Sequence, residues 1–256
     1  MEVSDYIRHV TSEGDRFAAA AEQGDLAVDI PACEGWDMRE LVRHLGLIHL
    51  WAAALVEVGA PKVFDVSDLP DLTEQWPDLA SAYPDDTNLV AWYRETHANL
   101  MRVFESAPAD RECPTFLPAP TPLTMWTRRQ ASEIAIHRYD AEIARGIVGG
   151  FDTAFATDML DEMLSGFAPR PRPLDIKGDK IIHVHAQDSD EHWYLTLGPE
   201  TTESARTGHR ADLTISGSAS DLYLLLWNRT NGSTVSMSGE ANLMDLWRSN
   251  FRVRWQ

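Results

Sequence analysis

Apolar positions recur every three to four residues through the first two thirds of the chain and every second residue after that. The first period marks amphipathic helices and the second marks half-buried strands. Tyr6, Ile7, Val10 and Phe17 outline a helix over roughly 4–23 that Gly24 ends. A structured loop, Ile30 to Trp36, leads to Asp37, with Glu40 three residues on. That pair reads as an N-cap and a capping box, opening a second helix that runs to about Val58 and stops at Gly59. A long connection rich in Pro and Asp follows from about 60 to 86, and loops of that length are uncommon and often functional. Leu89, Trp92, Tyr93, Leu100, Val103 and Phe104 mark a third helix over 87–106. A Pro-rich loop, Pro114 to Pro122, leads into a fourth over 124–145, and a fifth covers about 152–166.

Pro169, Pro171 and Pro173 cannot stand inside a helix and favour an extended linker, so a domain boundary is placed here. Beyond it, Ile182, Val184 and Ala186 alternate with Ile181, His183 and His185. Trp193, Leu195 and Leu197 share one face of the next run, and Leu213 and Ile215 mark a third strand. A helix over 218–228, a short strand over 233–238 and an amphipathic helix over 240–250 complete the pattern. The expected fold is α+β in two domains. A helical bundle (1–168) is followed by a linker (169–175) and a small α/β domain (176–256) with a mixed or antiparallel sheet.

Composition narrows the function. With 256 residues, 44% hydrophobic and 24% charged, the chain is ordinarily globular. Its 40 acidic and 22 basic side chains leave a formal charge of −18, which repels phosphate backbones and anionic membranes. The nearest approach to a basic patch is Arg248, Arg252 and Arg254 in the tail. No signal-like start and no run of 18 apolar residues is present, and two cysteines make no disulfide framework. The expectation is a cytoplasmic protein, monomer or homodimer, without nucleic-acid or membrane partners.

Candidate chemistry lies on the second and fourth helices. His44 falls inside the stripe Leu41–Leu45–Ile48, so it points into the bundle and needs partners for its ring nitrogens. Glu133 and His137, four residues apart, share one face flanked by Ile134 and Ala141. Taken singly, these are a core histidine and a surface Glu–His pair. Together they form a two-histidine, one-carboxylate set on facing helices, as bundles use to hold metals with open coordination positions. Zinc suits that set, with nickel or iron as alternatives. Asp140 is placed to orient a ligand. His49, about 140° around the helix from His44, is expected to be a pocket wall or a surface residue. Cys33 is read as packing and Cys113 as incidental. His183 and His185, with His192, suggest a second metal pair, but a polar solvent-facing strand side explains them more simply. Trp92, Trp126, Trp193, Trp227 and Trp247 are read as core or pocket walls.

Two runs resemble the mycothiol-dependent maleylpyruvate isomerase family: Ile30-Pro31-Ala32-Cys33-Glu34-Gly35-Trp36-Asp37-Met38-Arg39-Glu40-Leu41-Val42-Arg43-His44-Leu45-Gly46 and Arg128 through Glu142. Asp212 through Leu222 and Leu226-Trp227-Asn228-Arg229 are similar to the family's appended domain, which resembles sterol-carrier-type folds. Glu34 stands where the family often has proline, and Ser132 where many members carry histidine. The resemblance implies a DinB-like up-down-down-up four-helix bundle with its metal on His44, Glu133 and His137. It also implies mycothiol as thiol cosubstrate, with Arg229 as the clamp for a carboxylate-bearing substrate. The expected activity is metal-assisted thiolate chemistry, either cis–trans isomerisation or S-transfer. A metal-activated-water hydrolase, a non-catalytic metal- or ligand-binding module and a metal-free scaffold are the competing readings.

Overall fold

The computed structural model describes residues 1–59 and 84–251. Most of the Pro- and Asp-rich connection, together with Arg252 and Arg254, lies outside them. The chain divides into two compact units, Met1–Gly149 and Gly150–Gln256.

The first unit is a four-helix bundle: α1 (Val3–Glu22), α2 (Met38–Val58), α3 (Asp86–Ser106) and α4 (Pro122–Ala144). Side-chain pairs set the directions. Glu13 meets Arg138 and Arg16 meets Glu142, so α1 and α4 run parallel. Arg39 meets Asp86, His49 meets Thr96 and Glu57 meets Arg102, so α2 and α3 also run parallel. His44 faces His137 while Trp51 faces Trp126, which sets α2 antiparallel to α4. The topology is up-down-down-up, as expected. Gly46 lets α2 approach α3 closely, because a Cβ there would collide with the Trp92 ring. Gly14 does the same for α1 against His97.

Helix α4 is buried at every position from Arg129 to Glu142. It carries too many polar side chains for an apolar core, so their burial needs partners. Toward α1, the Arg138 guanidinium donates to Glu13 at 2.6 Å and to Glu142 at 2.7 Å, and Arg16 also binds Glu142. Toward α2 lies the face carrying Glu133 and His137. The helix starts on Thr121, whose hydroxyl accepts from the Thr124 amide at 3.1 Å, and has Pro122 in its first turn.

The second unit begins with α5 (Thr153–Asp161), which runs on into a π-helical turn, Glu162–Phe167. The helix predicted over 152–166 is therefore present. Its Phe155, Ala156, Met159 and Leu160 are buried, and it packs on the later helix α6 (Ala219–Leu226). The division of the chain thus falls at Gly149/Gly150, ahead of this helix, whereas the sequence places it at the proline run. That run is tied into the second unit. Arg172 donates to the carbonyls of Asn250 and Phe167, its guanidinium lies over Phe251, and the Leu174 amide donates to the Pro199 carbonyl.

Five strands follow: β1 (Lys180–Ala186), β2 (Glu191–Leu197), β3 (Thr202–Ala205), β4 (Leu213–Gly217) and β5 (Ser236–Gly239). The order is β3-β2-β1-β4-β5, with β1 and β4 parallel and the other neighbours antiparallel, so the sheet is mixed. One face buries Ile182, Val184, Ala186, Trp193, Leu195, Leu197, Leu213 and Ile215. The last helix, α7 (Leu243–Asn250), buries Leu243, Met244 and Trp247. No helix among the described residues is long and apolar enough to cross a membrane.

Candidate metal centre

The loop before α2 shapes one wall of the site. The Trp36 amide donates to the Cys33 carbonyl at 3.0 Å, closing a turn over Cys33-Glu34-Gly35-Trp36. Gly35 sits at φ 81°, a conformation that side-chain-bearing residues rarely adopt. The Asp37 carboxylate then accepts from the Glu40 amide at 3.0 Å, and Glu40 accepts from the Asp37 amide at 3.3 Å. The predicted capping box is formed. It sets the phase of α2, so His44 faces α4 with Trp36 against its ring, centroids 5.0 Å apart.

Across from it, Glu133 and His137 stand one turn apart on α4. Glu133 Oε1 receives His44 Nε2 at 3.1 Å and His137 Nε2 at 3.4 Å. All three donor atoms lie within 4.8 Å of one another. Ligand atoms about 2.1 Å from a common ion stand roughly 3–3.5 Å apart, so small rotations bring this set onto one divalent metal. The remaining polar atoms of the two α4 residues have partners. Arg129 donates to Glu133 Oε2 at 2.7 Å, and His137 Nδ1 bonds Asp140 Oδ2 at 2.9 Å. This leaves Glu133 Oε1 and the Nε2 atoms of both histidines directed at the shared point, and the Asp140 carboxylate orients the His137 ring. The residues fit a divalent metal.

Charge follows from these contacts. Burial would raise the Glu133 pKa, but hydrogen bonds from His137 and His44 and the charge of Arg129 hold it well below the usual range. Burial would lower His137, yet Asp140, Cys33 and Glu133 carry it well above the ordinary histidine value. His44 goes the other way, lowered first by burial and then by the charge on His137.

Cys33 does more than pack. Its Sγ lies 3.8 Å from Asp140 Oδ2, and Cys33, His137 and Asp140 form a second potential donor set. The sets compete for His137, one through Nε2 and the other through Nδ1. The first keeps the His137–Asp140 bond and the second breaks it, so the geometry favours His44, Glu133 and His137. Nothing in the sequence near Cys33 signals this contact, which joins residues 107 positions apart. His49 is neither pocket wall nor surface. It is fully buried toward α3, with Nδ1 3.3 Å from the Thr96 hydroxyl. Arg229 belongs to the second unit, just past α6, where its Nη1 donates to the Trp227 carbonyl at 2.9 Å. Trp92, Trp126, Trp193, Trp227 and Trp247 are all buried.

The family model for the mycothiol maleylpyruvate isomerase N-terminal domain matches residues 7–142. The chain belongs to the mycothiol maleylpyruvate isomerase family. The companion model, the MDMPI C-terminal domain, matches residues 152–246, so the family's two domains meet where the two compact units do. The crystal structure of the mycothiol-dependent maleylpyruvate isomerase is similar at a TM-score of 0.65 and 15% identity, covering 94% of this chain and 95% of that one. A histidine-to-alanine mutant of that isomerase is similar at 0.65 and 14%, with the same coverage. At such identity the likeness is one of fold. No curated protein matches the chain.

Proposed function

We propose that this member of the mycothiol maleylpyruvate isomerase family is a thiol-dependent enzyme that holds a divalent metal, zinc first, on His44, Glu133 and His137. The observation that supports it is the convergence of two imidazole Nε2 atoms on one carboxylate oxygen inside the bundle. When bound, such an ion supplies a Lewis acid that keeps a small thiol, mycothiol in this family, ionised at neutral pH.

The chain's residues hold and orient. Arg129 keeps Glu133 ionised and turned, and Asp140 keeps His137 presenting Nε2. Trp36 walls the side of His44. In the proposed isomerisation the thiolate adds to a carbon of an activated cis double bond, and the electron pair moves into the conjugated carbonyl. The bond rotates, the pair returns and the thiolate leaves, so no atom is gained or lost. S-transfer shares the first step and differs in which group departs. Arg229 is proposed as the bidentate partner of the substrate carboxylate.

The test is metal content of untagged protein prepared without chelator, beside turnover of a cis-enoate with and without a low-molecular-weight thiol. The reading expects an ion lost in His44→Ala and His137→Ala, and turnover that needs both ion and thiol. A bound ion with hydrolysis but no thiol dependence would move the assignment to a metal-activated-water hydrolase. A bound ion with no turnover would make the unit a binding module.

A further inference from the structure

The sheet of the second unit carries a group of side chains that the proposed thiol chemistry does not use. On the face opposite its apolar core, β1 presents His183 and His185 and β2 presents His192 and Tyr194, all half-buried. The register sets His185 directly opposite His192 and His183 opposite Tyr194. The His185 and His192 rings stack at 4.1 Å, and those of His183 and Tyr194 at 4.3 Å. The turn joining the strands adds a carboxylate. Asp190 Oδ1 stands 3.4 Å from His185 Nε2 and 3.6 Å from His192 Nε2. These three donor atoms lie within 4.8 Å of one another.

We infer that His185, His192 and Asp190 form a second metal site, separate from the bundle, for a borderline divalent ion such as zinc, nickel or copper. Two imidazoles and one carboxylate are the donors such ions take, and a three-residue set leaves positions for water. His183 completes the arrangement as a positioning residue. Its Nε2 lies 2.9 Å from His192 Nδ1. When His192 offers Nε2 to an ion its Nδ1 carries the proton, and His183 is placed to accept it, the contact that fixes a liganding tautomer.

The turn is held in place before any ion arrives. Thr153 donates to Asp188 at 2.9 Å, Asp188 accepts the Ala219 amide at 2.8 Å, and Ser189 bonds Thr157 at 2.9 Å. Asp190 itself adopts φ 54°, a left-handed conformation that aspartate tolerates better than most residues. A polar outer face alone calls for serine or threonine, which β4 supplies next door as Thr214 and Ser216. Solvation does not explain two histidines and an aspartate converging on one point, with a third histidine bonded behind one of them.

Equilibrium dialysis of the untagged full chain against zinc, with metal content measured, tests this. The wild type is expected to take up one more ion per chain than His185→Ala/His192→Ala. His183→Ala is expected to bind that ion about 10–100-fold more weakly, the usual effect of losing an orienting partner. An unchanged far-ultraviolet circular dichroism spectrum and unfolding midpoint check that the sheet is intact. Equal uptake by the wild type and the double variant overturns the inference. The comparison leaves His44, Glu133 and His137 untouched, so it stands or falls independently of the bundle site. Loss of an ion only in His44→Ala/His137→Ala would support the proposed function while refuting this one.

Discussion

At the residue scale, His137 links the metal site to its surroundings. Both ring nitrogens face carboxylates, Nε2 toward Glu133 and Nδ1 toward Asp140, contacts that favour the doubly protonated ring when no metal is bound. An ion must displace the proton on Nε2. His137 has a folded pKa raised above its unfolded value of about 6.5. In the metal-free protein its contribution to stability is therefore present below that value and lost as pH rises through the folded pKa. Metal binding has the opposite sign, gaining affinity over the same window by roughly tenfold per pH unit for one proton released. Zinc affinity measured across neutral pH checks this, and a flat profile would contradict proton displacement. Asp140→Asn leaves the shape but removes the charge that orients His137. It is expected to weaken zinc binding by about 10–100-fold with little change in fold.

At the element scale, α4 shows what the seam with α1 demands. Arg138 is fully buried between Glu13 and Glu142. Removing one member of a buried ion cluster strands the others, at about 3–5 kcal/mol, more than the pairing itself contributes. Arg138→Met is expected to lose about that much in denaturant unfolding, while Arg94→Met, whose pair with Glu22 is half exposed, changes stability by about 1 kcal/mol or less. Much of this architecture is legible in sequence. The helical period gave α1 to α4, Asp37 and Glu40 announced the start of α2, and the spacing of Glu133 and His137 put both on one face. Other features depend on contacts that no local pattern carries. Strand β3 reads Thr-Glu-Ser-Ala, without the alternation that marks a strand, and exists because it pairs with β2. The apolar stripe of α5 suits either unit, so proline content at 169–173 outweighed it. Cys33 reaches Asp140 only through the turn that Gly35 permits. Glu34 occupies the second position of that turn.

At the scale of the whole molecule, charge is the dominant property. Its 40 acidic side chains outnumber the 22 basic ones, which leaves the formal charge of −18. A compact chain so far from neutrality is destabilised by its own repulsion. Salt acts on two opposed terms. It weakens exposed pairs such as Arg39–Asp86 and Arg94–Glu22, each worth about 1 kcal/mol or less. It also screens the repulsion among the unmatched carboxylates, because the Debye length falls from about 30 Å at 0.01 M to about 8 Å at 0.15 M. Repulsion summed over the surface exceeds a handful of exposed pairs, and buried pairs such as Arg138–Glu13 are screened little. Sodium chloride raised across that range is therefore expected to lift the unfolding midpoint of the metal-free protein by about 2–4 °C, the shift that roughly 1 kcal/mol produces in a chain of this size. Chelator must be present throughout, since binding of a divalent ion stabilises by mass action and would mask the effect. A midpoint that falls with salt would mean that the exposed ion pairs outweigh the net charge.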